Sequence, residues 1–186
     1  MPEAALHPVI RAAAPADIPA ITAIYAHAVR HGTATFEIEA PDAAEMSNRF
    51  RALAEGGFPY LVAEIDGAVR GYAYAGPYRT RIAYRHTLED SIYIAPDLHG
   101  RGIGRALIEP LLADPTARGF RQMIAVIGGF RAERVDCLTS RGGFPHGRDL
   151  RGGRLQVRPL ARHRLDAAPA RAGRGDKAAV VGSVRH

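Results

Sequence analysis

Apolar and polar positions along the chain change period several times, and the changes mark out elements. Val9-Ile10-Arg11-Ala12 is a short apolar start that reads as a strand. Pro15-Ala16-Asp17 then gives a helix entry, with proline and an acid near the first turn. Ile18, Ile21, Ile24, Tyr25, Ala28 and Val29 recur at helical spacing, which predicts an amphipathic helix over 17–31 closed by Gly32. A second helix is expected over 42–55, between Pro41-Asp42 and Gly56-Gly57. The period then falls to two. Residues 60–65 read as a strand, Asp66-Gly67 as a tight hairpin turn, and 68–76 as the return strand with Tyr72 and Tyr74 on one face. A further strand over 88–95 puts Ile92 and Ile94 on one face and Tyr93 on the other, and Pro96-Asp97 ends it. A helix over 102–113 and a buried strand over 123–127 complete the order β-α-α-β-β-β-α-β. The pattern is that of an α/β domain with a mixed sheet.

Candidate chemistry concentrates between the fourth strand and the third helix. His99-Gly100-Arg101-Gly102-Ile103-Gly104-Arg105 places three alternate glycines at a helix start. Backbone N–H groups can converge there without Cβ clashes, and the helix N-terminus adds partial positive charge, so the segment suits an anion such as a pyrophosphate. A plain glycine-rich turn has the same pattern, and short glycine motifs are common. A dinucleotide-binding loop would follow the first strand of a βαβ unit, and this one follows the fourth.

The stretch H-G-R-G-I-G-R-A-L resembles the acetyl-CoA loop of the GNAT N-acetyltransferases, with His99 where that family usually has Arg or Gln. The upstream run from Gly71 to Pro96, G-Y-A-Y-A-G-P-Y-R-T-R-I-A-Y-R-H-T-L-E-D-S-I-Y-I-A-P, is more specific and is similar to the phosphinothricin N-acetyltransferase branch. The resemblance covers roughly residues 9–127 and extends to I-R-A-A-A-P-A-D-I-P-A-I near the start and to Thr35-Phe36-Glu37. It implies a GNAT-like mixed central sheet flanked by helices, with acetyl-CoA as co-substrate and a small amino-acid-like amine, of the phosphinothricin or methionine sulfoximine type, as acceptor. It also implies roles. Glu89 is the general base that frees the amine of a proton. Backbone groups around Ile92, Tyr93 and Ile94 hold the pantetheine arm and polarise the thioester carbonyl. His99, Gly100, Arg101, Gly102, Ile103, Gly104 and Arg105 bind the cofactor. Arg79 and Arg81 meet the substrate's carboxylate or phosphinate, where planar guanidinium forks suit such anions. Phe36 lines the substrate pocket. From position alone, Glu89 also fits a solvated strand-end acid, the arginines a charged hairpin end, and Phe36 a core residue. Family members are often homodimers.

Charge divides the chain. Residues 1–130 hold 12 Arg against 14 acidic residues, whereas residues 131–186 hold 12 Arg and one Lys against 5 acidic residues. All seven Tyr lie in the first part, and of the six Phe only Phe144 lies in the second. The expected organisation is an incomplete acetyltransferase domain over 1–129 and a basic Gly/Arg-rich tail over 130–186. After its fifth strand a GNAT domain continues with a helix and two more strands. The tail shows poor periodicity, so the C-terminal helix and last two strands are expected to be missing or replaced, leaving an open sheet edge after Ile127.

The tail has a genetic reading. Arg outnumbers Lys 24 to 1, as in a GC-rich gene. Back-translating Phe144 to Arg171 with free third bases, then dropping the first base, permits SRTVGTFEAVGFKFGRWLDTVLMQRPLG. That string alternates like paired strands and resembles the family's C-terminal hairpin. A change of reading frame near Gly128 to Arg134 is therefore expected, with impaired activity in the chain as written. In that case Cys137 has no designed role.

Other classes fit less well. One cysteine excludes a disulfide scaffold. His27 and His31, one helical turn apart, lack a third ligand, and no metal is expected. No apolar run reaches membrane length and no secretory signal is evident, so a cytoplasmic location without membrane contact is expected. A GNAT with a different amine substrate is the nearest alternative. A non-enzymatic protein whose basic tail binds a polyanion is the other, but the tail lacks aromatics spaced for base stacking, so nucleic acid is not the favoured partner.

Overall fold

The computed structural model describes residues 6–32, 35–127, 146–148 and 154–159. Its elements are β1 (Val9–Ala12), α1 (Ile18–His31), α2 (Ala43–Glu55), β2 (Tyr60–Ile65), β3 (Ala68–Pro77), β4 (Thr87–Ile94), α3 (Ile103–Ala117), β5 (Gln122–Ile127), β6 (His146–Arg148) and β7 (Arg154–Pro159). The strands form one mixed sheet in the order β1-β2-β3-β4-β5-β7-β6. Among the described strands only β4 and β5 are parallel, with α3 as the crossover between them.

Local chemistry accounts for the element ends. Asp42 caps α2 by accepting the Glu45 N–H at 2.8 Å. Asp66 (φ 52°) and Gly67 (φ 75°) both adopt left-handed backbone, as a two-residue turn between β2 and β3 requires. The third helix runs four residues beyond its expected end at Ala113 and carries Pro110 and Pro115 inside it. The buried Pro115 ring packs with the helix, and Thr116 Oγ1 donates to the Leu112 carbonyl at 2.6 Å.

The two faces of the sheet differ in side-chain size. On one face Tyr60, Val62 and Tyr72 pack with Ile18, Ile21, Ile24 and Tyr25 of α1 and Met46 of α2. On the other, Ala63, Ala73, Ala75 and Ala125 form a shallow surface on which Ile103, Leu107, Ile108 and Leu111 of α3 lie. Period-two alternation along β2 and β3 produces this split directly.

Where the last two strands were expected to be missing or replaced, two strands from the tail join the sheet. β7 pairs antiparallel with β5 from Gln122↔Pro159 to Ile127↔Arg154, and β6 pairs with β7. The edge expected after Ile127 is therefore covered, and residues 146–148 and 154–159 of the tail belong to the sheet. The sequence signal was Arg154-Leu-Gln-Val-Arg-Pro159, where Leu155 and Val157 alternate with polar residues. A six-residue alternation amid glycine and arginine is a weak signal, and the unpaired backbone of β5 supplies the template that selects it. The fourth helix, the site of the expected frame change and Cys137 lie outside the described residues.

A charged junction fixes the start of the domain. Arg11 on β1 forks onto Asp17 (2.7 and 2.8 Å) and reaches Glu64 of β2 at 2.9 Å. Asp17, which is buried, also accepts the Ala14 N–H at 2.8 Å. These hydrogen bonds hold its carboxyl below the usual range, so its contribution is full above pH ~4 and is lost as pH falls through the lowered value. Asp17→Ala is expected to cost about 2 kcal/mol in urea denaturation at pH 7, and less in acid. Tyr72 gives the opposite case, because its side chain is fully buried and its hydroxyl has no hydrogen-bond partner. Tyr72→Phe removes only that hydroxyl and is expected to raise stability by about 1 kcal/mol in the same measurement.

Candidate functional site

The parallel pairing of β4 with β5 is short. It runs from Thr87↔Gln122 to Asp90↔Ala125 and stops, whereas β4 continues to Ile94 against β3. Beyond Asp90 the two strands part. The direction of the β4 backbone groups follows from the bonds at its ends. Tyr78 N–H donates to the Thr87 carbonyl and Ala95 N–H to the Arg70 carbonyl, so odd-numbered residues of β4 bond to β3. The N–H and C=O groups of Ile92 and Ile94 therefore face the opening. Those of Tyr93 belong to the ladder with β3, and its ring lies on the tyrosine face. Of the three strand residues expected to hold a pantetheine arm, Ile92 and Ile94 have the required backbone direction.

The glycine loop closes one end of this opening. Gly100 (φ 83°) and Gly102 (φ 85°) are left-handed, a conformation that strains any residue with a Cβ. Gly102 is the N-cap of α3, and a Cβ built on it would meet nothing within 4 Å, so that side of the loop is open. Ile103 and Gly104 are buried in the first turn, whereas Arg101 and Arg105 are exposed. Arg105 pairs with Glu109 at 3.2 Å. His99 takes a distinct part, with Nε2 2.9 Å from the Ile94 carbonyl, tying the loop to the end of β4. Arg70 and Asp97 form an ion pair beside it. The segment is thus a preformed concave backbone at a helix N-terminus, suited to a phosphate-bearing ligand.

On the opposite side of β4, Glu89 is half-buried and shares its face with Ser91 and Tyr93. Burial pushes its carboxyl above the usual glutamate value, and the positive charge of Arg79 partly opposes this. Arg79 stacks on Tyr78, its guanidinium carbon 5.0 Å from the ring centroid. Arg81 is exposed on the same β3–β4 connection. Phe36 is 72 % exposed, on the stretch that follows α1, and its ring is not in the core. Arg79, itself exposed, thus acts on Glu89 through its charge, and Arg81 and Phe36 also lie on the surface.

Sequence reasoning put Tyr72 and Tyr74 on one face but missed the cavity above them. Tyr60 stacks on Tyr74 (5.1 Å), Tyr72 on Tyr93 (5.3 Å), and Tyr25 meets Tyr93 edge-on (4.9 Å). A cavity of about 300 Å³ lies among Tyr25, Met46, Arg49, Tyr60, Tyr72 and Tyr74. Burial pushes the phenols of Tyr60, Tyr72, Tyr74 and Tyr93 up, so they remain hydrogen-bond donors. Arg49 pairs with Glu37 (2.6 Å) and Glu45 (2.8 Å), and Tyr25 shares a 2.9 Å hydrogen bond with Thr35. These contacts tether the stretch 35–37 to the cavity rim. The signal in the sequence was the alternation of Tyr72, Tyr74 and Tyr93 with small or aliphatic residues, but that pattern alone does not say that α1 and α2 leave a space above them.

No group of three or more metal-ligating side chains occurs among the described residues, and no described helix is long and apolar enough to cross a membrane. His27 and His31 lie side by side, ring centroids 4.6 Å apart, on the last turns of α1.

Known proteins share this arrangement. The model of the Acetyltransferase (GNAT) family matches residues 21–134. A phosphinothricin N-acetyltransferase of Alcaligenes faecalis is 57% identical over 112 residues, which are 60% of this chain and 57% of that protein. The chain thus spans little more than half of that relative's length. An L-methionine sulfoximine/L-methionine sulfone acetyltransferase of Pseudomonas paraeruginosa is 38% identical over 136 residues, 73% of this chain and 78% of that protein. Among solved structures, a GNAT superfamily phosphinothricin acetyltransferase from Sinorhizobium meliloti in complex with AcCoA superposes with a TM-score of 0.75 at 43% identity, covering 82% of this chain and 88% of that one. By its family match and its sheet, the chain belongs to the GNAT acetyltransferase family.

Proposed function

We propose that this chain transfers the acetyl group of acetyl-CoA to the amino group of a small amino-acid-like substrate, of the phosphinothricin or methionine sulfoximine type. The observation that carries the reading is the position of Glu89. It is a half-buried carboxyl with a raised pKa, on the tyrosine face, one residue before the strands part. The names of the relatives supply the substrate class.

Acetyl-CoA supplies the activated acyl group, and the chain's residues divide the remaining work. Gly100, Gly102 and Gly104, with Ile103 and the charges of Arg101 and Arg105, would hold the pyrophosphate at the start of α3. His99 fixes that loop to β4. The backbone groups of Ile92 and Ile94 would bind the pantetheine arm and hydrogen-bond the thioester carbonyl where negative charge develops. Glu89 takes a proton from the incoming ammonium, since only the neutral amine attacks. Arg79 and Arg81 would hold the acceptor's carboxylate or phosphinate, and Phe36 would close over it. The enzyme is expected to act in the cytoplasm, and a homodimer is the assembly to test by light scattering.

The domain boundary near residue 129 and the change of reading frame near Gly128 to Arg134 belong to the same proposal. Identity to the Alcaligenes protein is high, yet confined to 60% of the chain, and the family model ends at residue 134. A frame change would produce this kind of sharp end. Resequencing the gene across that stretch tests it, and codons that cannot encode the shifted string refute it.

Thiol release from acetyl-CoA should be measured against a panel of amino-acid analogues. Turnover is expected with phosphinothricin or methionine sulfoximine, rising with pH as Glu89 loses its proton. Glu89→Gln should lower kcat by about 100-fold or more with the fold intact, whereas turnover equal to that of the unsubstituted chain would remove Glu89 as the base. A frame-corrected chain is expected to be more active than the present one in the same assay, and equal rates would refute the impairment.

A further inference from the structure

Glu89 and Asp90 are adjacent in β4, so strand alternation sends them to opposite faces of the sheet. Leu88 and Ile92, two residues to either side of Asp90, pack in the core beneath α3, and Asp90 shares that face. It is 9 % exposed, and its Oδ1 has no hydrogen-bond partner. Its neighbours in register are Ala75 of β3 and Ala125 of β5, neither of which can pair with it. Ala73, Met123, Leu107 and Leu111 of the hydrophobic cluster lie on that face. A buried carboxyl with one oxygen unpaired is costly and calls for an explanation.

The location of Asp90 supplies one. It is the last residue of β4 to pair with β5, and the stretch of Ile92 and Ile94 that has no neighbouring strand on that side begins just beyond it. From Asp90 to Ile94 is a rise of roughly 13 Å. Asp90 stands at one end of that stretch and the loop held by His99 at the other. A ligand arm anchored by its phosphates in the loop and laid along Ile94 and Ile92 would end at the apex of the fork. Glu89 stands there on one face and Asp90 on the other.

We propose that Asp90 is the acid of the transfer, giving its proton to the thiolate that departs at the apex. The assignment rests on the acetyl-transfer reading above. Glu89 takes the first proton from the substrate ammonium. The C–N bond forms, the C–S bond breaks, and Asp90 protonates the sulfur. Nitrogen gives up its second proton to solvent, Glu89 passes the first on to solvent, and solvent reprotonates Asp90, so one proton is released overall. Burial, with the charge of Glu89 across the strand and against a lowering hydrogen bond from its own backbone, pushes the Asp90 carboxyl up to about 7, so it is poised to donate near neutral pH. Among the described residues, Glu89 is the one whose charge acts on Asp90.

Infrared difference spectroscopy on the full chain tests the contact without turnover. A protonated-carboxyl band present at pH 6 and lost by pH 9 should shift on addition of CoA and be absent in Asp90→Asn, with Glu89→Gln marking the contribution of Glu89. No such band, or one that CoA leaves unmoved, overturns the proposal. In the thiol-release assay, Asp90→Asn should lower kcat about 100-fold, leave KM for the amine unchanged and abolish the fall in rate above pH ~7. A variant with the original rate, or with that alkaline fall intact, overturns the acid role. If the unsubstituted chain releases no thiol with any amine while the band still moves with CoA, the acid role falls with the transfer reading, and the contact between Asp90 and the ligand stands.

Discussion

The parting of β4 from β5 after a four-residue parallel ladder is the constraint on which the site depends. Backbone N–H and C=O groups in a sheet interior seek partners, and an interior strand that runs on without a neighbour leaves them open. Here the direction of the ladder selects Ile92 and Ile94 for that role and commits Ser91 and Tyr93 to β3. No side-chain chemistry is needed to set this. It follows from register, and it gives an extended ligand something like a strand to lie against. The glycine loop, the start of α3 and the two carboxyls at the apex take their meaning from their distance to this gap.

Strand alternation then sorts chemistry by face. Large phenols stand on the face covered by α1 and α2, and alanines on the face covered by α3. Glu89 and Asp90, one residue apart, consequently meet different surroundings. One is half-buried near the guanidinium of Arg79, and the other is enclosed among aliphatic side chains. Both are raised by burial, but only Glu89 has a cation to lower it again. A single strand thereby holds two carboxyls of different proton affinity within one residue of each other.

Much of this was legible in the sequence. The periods of α1, α2 and β2 to β5 place these elements to within a residue or two, because each buries a regular face. The third helix outran its expected end, because Leu111, Leu112 and Pro115 carry its buried face past Ala113. The glycine loop could be read because left-handed backbone demands glycine at 100 and 102. β6 and β7 were not legible, because their pairing depends on the open edge of β5, which is a tertiary fact. The cavity above the tyrosines was hidden for a similar reason: it depends on how far α1 and α2 stand off the sheet. Asp90 drew no reading in the sequence, because what surrounds it depends on its strand neighbours, Ala75 and Ala125.

The alanine surface under α3 carries a consequence for how such a molecule can change over generations. Where Ala63, Ala73, Ala75 and Ala125 meet close-packed leucine and isoleucine, any larger side chain overfills the layer, so few replacements survive. On the tyrosine side a void already exists, and exchanges of bulk there alter its shape before they strain the backbone. Selection for a different ligand can therefore work on one layer of the sheet while the layer that carries the helix of the glycine loop stays almost fixed. The same asymmetry lets one framework take up new ligands by drift on a single side.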